Sequence, residues 1–304
     1  MIVGPTGVGK TKVSIDVAKY FHANVINADS RQIYSEIPIG TAAPTSEQLS
    51  TIKHYLVGCK NLTDYYSASL FEKDVLSIID KMSKSSSVPF SILSGGSMLY
   101  IDAVCNGIDD IPTISDSVRE EMKSRLKNEG LTALVDELQR LDNDYWKEVD
   151  KNNYRRVIHA LEIIHQTGVP YSSFRRNISA ERPFQIIKIG LNLPRTELYN
   201  NINSRVDEMI KSGLIDEARK VFRYRTNNAL QTVGYRELFD YFDNKTTLDD
   251  AIDKIKSNTR QYARKQLTWF KRDKAICWFY PTADNKDIIN YILEKQSHFN
   301  KNTK

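Results

Sequence analysis

Cysteine is scarce and scattered: Cys59, Cys105 and Cys277 are the only three in 304 residues, and no two form a C-x-x-C pair. That excludes a disulfide-stapled secreted scaffold and a thiolate zinc site, and it points to a reducing, cytoplasmic setting. The five histidines show no metal-ligand spacing either. No apolar run approaches the roughly 20 residues that a membrane span needs, and no signal-peptide pattern opens the chain, so no membrane partner is expected. Internal repeats are absent, and the only loose segment is the polar tail "SHFNKNTK" (297–304). What is present is ordinary for a globular protein: 40% hydrophobic and 27% charged residues, in a length that suits one large or two medium domains. We expect a monomer.

The net charge of +5 is unevenly placed. Residues 1–150 carry 15 Lys and Arg against 21 Asp and Glu, whereas residues 151–304 carry 28 against 17. Such asymmetry suits a polyanionic partner meeting the second half; a solvated basic face accounts for the charge equally well.

The most specific signal lies near the start. "GPTGVGKT" (4–11) fits the phosphate-loop pattern G-x-x-x-x-G-K-[ST]. Its residues Gly4, Pro5, Thr6, Gly7, Val8 and Gly9 predict a nest of inward backbone N–H groups, completed by the N-terminus of the following helix. Lys10 would reach the outer phosphate oxygens, and the Thr11 hydroxyl would sit on Mg²⁺, the one metal implied. The context agrees: Met1, Ile2 and Val3 make a very short first strand, and Val13, Val17, Ala18 and Phe21 recur at helical spacing. The pattern predicts a bound polyphosphate without saying which one, or whether a nucleotide is consumed.

Short apolar runs alternate with helical patterns through the first hundred residues. "NVINADS" (24–30) and "VPFSILSGG" (88–96) read as strands, with helices around 46–53 and 68–82. This predicts an α/β fold, a phosphate-loop-type parallel sheet flanked by helices, with the site in the loops at the strand C-terminal ends. Residues 113–165 carry amphipathic helical patterns with no strands between them, an all-helical insertion. We therefore expect a core of 1–110 with 176–304, interrupted by a helical domain of 111–175. "FQIIKIGLNL" (184–193) returns to strand character, and a long helical half is expected after it.

Several residues narrow the chemistry. Asp29 ends the second strand in "NADSRQIY", where it could approach Mg²⁺, act as a general base or cap a turn. "SGGSMLY" (94–100) is a second glycine turn at a strand end. Arg205 adjoins the apolar helical face of Leu198, Ile202, Val206, Met209 and Ile210, a placement open to a cleft or to solvent. A helix from Ala251 to Asp273 carries Ile252, Ile255, Thr259, Tyr262, Gln266 and Trp269 on one stripe. Its other faces carry Arg260, Arg264 and Lys265 among aromatics, a mix suited to phosphates and unpaired bases or to a plain surface helix.

Taken together, "GPTGVGKT", "NADSRQIY", "GTAAPT", "SGGSMLY", "NNYRRVIHALE", "LQTVGYREL" and "TRQYARKQLTWF" resemble the bacterial tRNA dimethylallyltransferases in order and spacing over roughly residues 1–280. The resemblance implies transfer of a dimethylallyl group from dimethylallyl diphosphate to the exocyclic amine of adenosine 37, in the anticodon arm of tRNA. It implies that the phosphate loop holds the donor diphosphate, with Lys10 and Mg²⁺ on Thr11 neutralising it and Arg205 on the leaving group. Asp29 matches the family's general base. Ser30, Arg31 and Gln32 match contacts to the target adenosine and its neighbours. Positions touching tRNA would be Ser97, Arg119, the segment Arg155, Arg156, Val157, Ile158 and His159, and the segment Gln231, Thr232, Val233, Gly234, Tyr235 and Arg236. The helix with Arg260, Arg264 and Lys265 looks like the family's basic helix lining the RNA groove. The chain departs from the family's pattern in its very short first strand, in Ser97 where threonine is common, in His159 where arginine is common, and in Tyr55 where a second histidine is frequent. The chemistry suits the set. Charge grows on the leaving oxygens as the allylic carbon ionises, and cations and backbone donors stabilise it. The amine turns acidic as its new bond forms, so a carboxylate can take the proton. The adenosine must leave its stack to react, at a cost of a few kcal/mol.

Overall fold

The computed structural model describes residues 1–85, 90–175 and 180–302. The chain divides into two compact units, Met1–Cys105 with Arg182–Lys304, and Asn106–Glu181. Their limits lie a few residues from the expected ones, and the expected change at 175/176 abuts residues 176–179, which lie outside the described residues.

The first unit is built on six strands: β1 (Ile2–Val3), β2 (Asn24–Asn27), β3 (His54–Tyr55), β4 (Ser91–Gly95), β5 (Ile189–Leu191) and β6 (Cys277–Phe279). They pair in the order β3-β2-β4-β1-β5-β6, every pairing parallel. The strand expected over 88–96 is β4; residues 88 and 89 of that stretch lie outside the described residues. Helices α1 (Lys10–Tyr20), α2 (Ser46–Thr51) and α3 (Ala68–Ser85) connect the first four strands, and α4 (Met98–Asn106) follows β4. A strand buried on both faces must be apolar throughout, and β1 and β5 are, with every residue buried. Two-residue β1 survives as a strand because β4 and β5 flank it, pairing Val3 with Gly95 and Gly190.

After β5 come α9 (Arg195–Lys211), α10 (Leu214–Val221), α11 (Tyr235–Phe242), α12 (Leu248–Phe270) and α13 (Lys286–Asn302), numbered to leave α5 to α8 for the second unit. The long helical half expected after residue 193 is there, with one strand that the expectation did not include. "ICWFY" (276–280) is a short β-branched and aromatic run that adds β6 to the sheet edge beside β5. One core packs under the sheet around Val13, Val17, Leu191, Leu198 and Ile202. A second gathers Ile33, Ile37, Val206, Leu214, Tyr235 and Ile255.

The second unit holds α5 (Asp116–Leu141), α6 (Asn143–Glu148), α7 (Tyr154–Thr167) and α8 (Tyr171–Phe174), and no strand among its described residues. Met122, Leu134, Leu138, Val157, Leu161 and Ile163 form its core. The Ser115 hydroxyl caps α5, which breaks at Gly130, where φ is 81°. Arg125 bonds Glu129 on its own side of the break and Glu137 across it, and His165 of α7 meets Glu137 at 2.8 Å.

Candidate active site at the strand ends

Parallel strands all end on one side, and the loops leaving β1, β2 and β4 meet there. The β1 loop turns into α1 through Gly9, whose left-handed backbone (φ 95°) aims the helix N-terminus back over the loop. Lys10 Nζ folds onto that loop, donating to the carbonyls of Gly4 (3.0 Å) and Pro5 (2.9 Å). Burial, then the nearby Arg205 guanidinium, push the Lys10 ammonium down from its usual 10.5 to about 7, against the pull of Asp29. A guanidinium stays protonated, yet burial also disfavours the charge on Arg205, with Asp29 and Glu208 opposing. Arg205 reaches from α9 to donate to the Thr6 hydroxyl at 3.3 Å. Two crowded cations thus share one carboxylate beside a loop of backbone donors, an arrangement short of negative charge.

Asp29 follows β2. Its Oδ1 accepts from the backbone N–H of Arg31 (2.9 Å) and of Gln32 (3.3 Å), which fixes the carboxylate at the loop tip. Gln32 Nε2 in turn donates to the carbonyls of Thr41 and Ala42, both at 3.0 Å, tying in the "GTAAPT" loop. Ser97 supports the same tip from β4: its Oγ accepts from Ser30 N at 2.7 Å and donates to Ser30 Oγ at 3.1 Å.

Gln266 of α12 joins the loops. Its Oε1 accepts from Thr6 N–H and its Nε2 donates to Gly96 O, each at 2.8 Å, with the side chain buried. The amide fits only because position 96 is glycine, since a Cβ there would lie 2.3 Å from Gln266 Nε2. One turn earlier, the Tyr262 hydroxyl is pushed up to about 12 by burial and by Asp29, with Arg31 opposing.

Two cavities open here. One of about 140 Å³ follows the phosphate loop and is lined by Gly7, Gly9, Lys10, Thr11, Asn27 and Gln32. The other, about 310 Å³, is walled by Ile202, Val206, Met209, Leu214 and the segment 231–234 with Arg236. Thr6, Asp29, Thr41, Arg205 and Tyr262 line both. A larger cavity of about 330 Å³ lies at the opposite ends of the strands, around Phe21, Phe90, Ile187 and Ile292, and contains none of these groups.

The structure therefore brings together Gly4 to Thr11, Asp29, Ser30, Arg31, Gln32, Ser97, Arg205 and the 231–236 segment. Ser97 and Tyr235 are buried, so they act on the site through the loops they hold. Half-buried Arg260 is bonded to Asn203 Oδ1 of α9 at 2.6 Å, whereas Arg264, bonded to the Tyr199 hydroxyl at 3.5 Å, and Lys265 are exposed. Arg119, Arg155, Arg156 and His159 belong to the second unit. There Val157 and Ile158 fill the core, because α7 turns those two positions inward. Arg155 Nε bonds the Tyr154 hydroxyl at 3.1 Å, and the His159 ring meets Tyr171 edge-on. The sequence reading missed Thr41, Gln266 and Tyr262 as site residues. A polar Gln inside an apolar stripe was the available signal.

For Mg²⁺ the donor set is thin: no group of three His, Cys, Asp or Glu among the described residues is placed to hold a metal. Thr11 lines the phosphate-loop cavity, where its hydroxyl is the side chain that would meet an ion bound chiefly by waters and phosphate oxygens.

The family model described as IPP transferase matches residues 32–273. A protein of Parabacteroides distasonis named tRNA dimethylallyltransferase 2 is 55% identical, covering 97% of this chain and 98% of its own. The Bacteroides fragilis tRNA dimethylallyltransferase 1 is 52% identical over 96% of each. Among solved structures, the tRNA isopentenylpyrophosphate transferase of Bacillus halodurans superposes with a TM-score of 0.72 at 37% identity, over 99% of this chain and 97% of that one. A eukaryotic dimethylallyltransferase described as acting on tRNA gives 0.72 at 27% identity, over 88% of this chain and 68% of that one. Matched across most of its length by family, relatives and fold alike, the chain belongs to the tRNA dimethylallyltransferase family.

Proposed function

We propose that this protein transfers the dimethylallyl group of dimethylallyl diphosphate to the exocyclic amine of adenosine 37 in tRNA, in the cytoplasm and as a monomer. The observation that carries the reading is the shared wall of the two cavities, where Asp29 and Arg205 face both at once. The diphosphate lies in the phosphate loop, on its N–H groups, Lys10 and Arg205. Mg²⁺ at Thr11, when bound, lowers the charge that the leaving diphosphate presents. The adenine enters the adjoining cavity between Arg31 and the 231–236 segment, its amine directed at Asp29. Thr6, bonded to Arg205, keeps that guanidinium on the leaving oxygens while charge develops. As the carbon–oxygen bond breaks and the carbon–nitrogen bond forms, Asp29 accepts the amine proton. Arg155, Arg156 and the outer face of α12 supply charge for the RNA backbone.

The test is incubation with labelled dimethylallyl diphosphate and, separately, total tRNA, adenosine monophosphate, or ATP with phosphoryl acceptors. Label in tRNA at an adenosine beside the anticodon is the expected result. Label in the monophosphate alone, or ATP consumption without transfer, overturns the reading.

A further inference from the structure

The strongest unassigned feature of the fold is a carboxylate where none is expected. Glu217, on α10, is buried, although its neighbours Asp216 and Arg219 follow the usual solvent-facing pattern of a surface helix. Its two oxygens accept three hydrogen bonds: from the backbone N–H of Ile39 (2.8 Å) and of Gly40 (2.8 Å), and from the Tyr235 hydroxyl (2.6 Å). No cation is paired with it among the described residues. Burying a carboxylate is costly unless its lone pairs are met, so such a residue is retained for what it holds in place. Burial and the Glu217 charge raise the Tyr235 hydroxyl well above its ordinary range, so that it remains a donor.

What Glu217 holds is a wall of the reaction cleft. Gly40 and Thr41 line the site's cavity of about 310 Å³, and Thr41 lines the phosphate-loop cavity as well. The turn cannot rest on its own backbone preference: Ala42 sits at φ 47°, a left-handed conformation strained for alanine. Gly40 packs so closely that a Cβ would lie 2.4 Å from the Tyr235 hydroxyl and 2.8 Å from Leu214 Cδ1. Tyr235 opens α11 directly after Gly234, so one carboxylate links the 39–41 turn to the 231–234 segment, which lines the same cavity. Beside it Glu237, also buried, accepts from Gly234 N at 2.8 Å and from Asn258 Nδ2 at 2.7 Å.

We infer that Glu217 is a positioning residue for the acceptor: through Ile39, Gly40 and Tyr235 it sets the spacing of the two walls between which the target base enters. The inference rests on the reading that this cavity takes the acceptor and the phosphate loop takes the donor. None of the three hydrogen-bond donors to Glu217 belongs to the phosphate loop, so the loop keeps its own bonds when Glu217 is altered, and of the 39–41 turn only Thr41 lines that cavity.

Glu217→Gln replaces one acceptor oxygen by an N–H₂ that faces backbone donors; Tyr235→Phe removes the hydroxyl's bond to Glu217 and its longer one to the Ile37 carbonyl (3.4 Å) and keeps the ring. Both are measured for inorganic diphosphate affinity by calorimetry and for steady-state prenylation of an anticodon stem-loop RNA. With hydrogen bonds to a charged group as the guide, Glu217→Gln should raise the acceptor KM about tenfold and Tyr235→Phe roughly threefold. Diphosphate affinity should stay within about twofold in both, for want of any lost contact to the loop. An unchanged acceptor KM in a folded Glu217→Gln overturns the inference, as does an equal loss of diphosphate affinity, which marks a merely structural role. If Glu217→Gln does not fold, Tyr235→Phe decides on the same two readouts. Failure of the unaltered protein to prenylate the RNA at all strikes the functional reading instead, a result distinct from either.

Discussion

Arg205 donates to the Thr6 hydroxyl at 3.3 Å, across 199 positions of sequence, and so brings a cation from α9 to the rim of the phosphate loop. With Lys10 crowded against the same loop, the pair is arranged for a ligand that brings several negative charges. Arg205→Ala should lower the transfer rate roughly 10²–10³-fold, the range for removing one donor to a developing oxyanion. Arg205→Lys should restore only part of it, because an ammonium lacks the planar fork that grips two oxygens. Single-turnover kinetics at saturating donor measure this; an unaltered chemical step in Arg205→Ala would return the residue to a purely structural role.

Asp29 touches its own loop through backbone bonds and neighbours both cavities. Asp29→Ala should slow transfer by about 10²–10⁴-fold while leaving diphosphate binding nearly unchanged, as befits a group acting on the acceptor. Loss of donor affinity with an undiminished maximal rate would instead make it part of a metal site.

Lys10 links donor binding to pH. Its ammonium titrates near 7 in the free loop, lowered from 10.5, and a bound diphosphate favours the charged form. Above pH 7 binding must therefore take up a proton, and the Lys10 contribution to affinity should weaken by up to about tenfold per pH unit. Calorimetry at pH 8 in two buffers of different ionisation enthalpy should show this uptake in the unaltered protein and its loss in Lys10→Met. For folding the sign is opposite. Between about 7 and 10.5 the unfolded chain binds the extra proton, so this lysine makes the free protein more stable as pH rises through that window. The melting temperature of Lys10→Met should lack that part of the pH dependence.

On the outer side of α12, Arg264 leans on Tyr199 and Lys265 is exposed, so neither holds the fold. If about five or six RNA phosphates are neutralised in all, affinity for tRNA should fall with salt at a log–log slope near −3.5 to −4. Alanine at both positions should make the slope shallower by about one unit and leave diphosphate binding unchanged. A slope near zero in the unaltered protein would remove the RNA from the reading.

How much of this was readable beforehand follows from where the information lies. Lys10, Thr11 and Asp29 belong to short contiguous motifs whose chemistry is local, and the sheet was legible through its buried apolar runs. Gln266, Tyr262 and Glu217 were not, because their roles come from partners far away in sequence. On an amphipathic helix, Gln266 reads as one more member of the stripe from Ile252 to Trp269, and only its contact with Thr6 and Gly96 shows why a polar group sits there. Strand β6 escaped because three residues between polar loops are too few to establish a period. In the contiguous segment 155–159 the motif alone does not separate Val157 and Ile158, which α7 turns into the core, from their exposed arginine neighbours.

The bond between Thr6 and Gln266 spans 260 positions, and β1 finds its second neighbour only when β5 has been made. Synthesis proceeds from the N-terminus, so the glycine loop leaves the ribosome long before the helix that braces it. During that interval the loop, though complete in sequence, has no geometry with which to hold a diphosphate. A nascent chain halted before Leu248 should bind none, and the finished protein should acquire donor affinity in a single late step once α12 docks. Closing so long a loop is entropically costly and slow, which makes the competence of the cradle a reporter on the completion of the whole first unit.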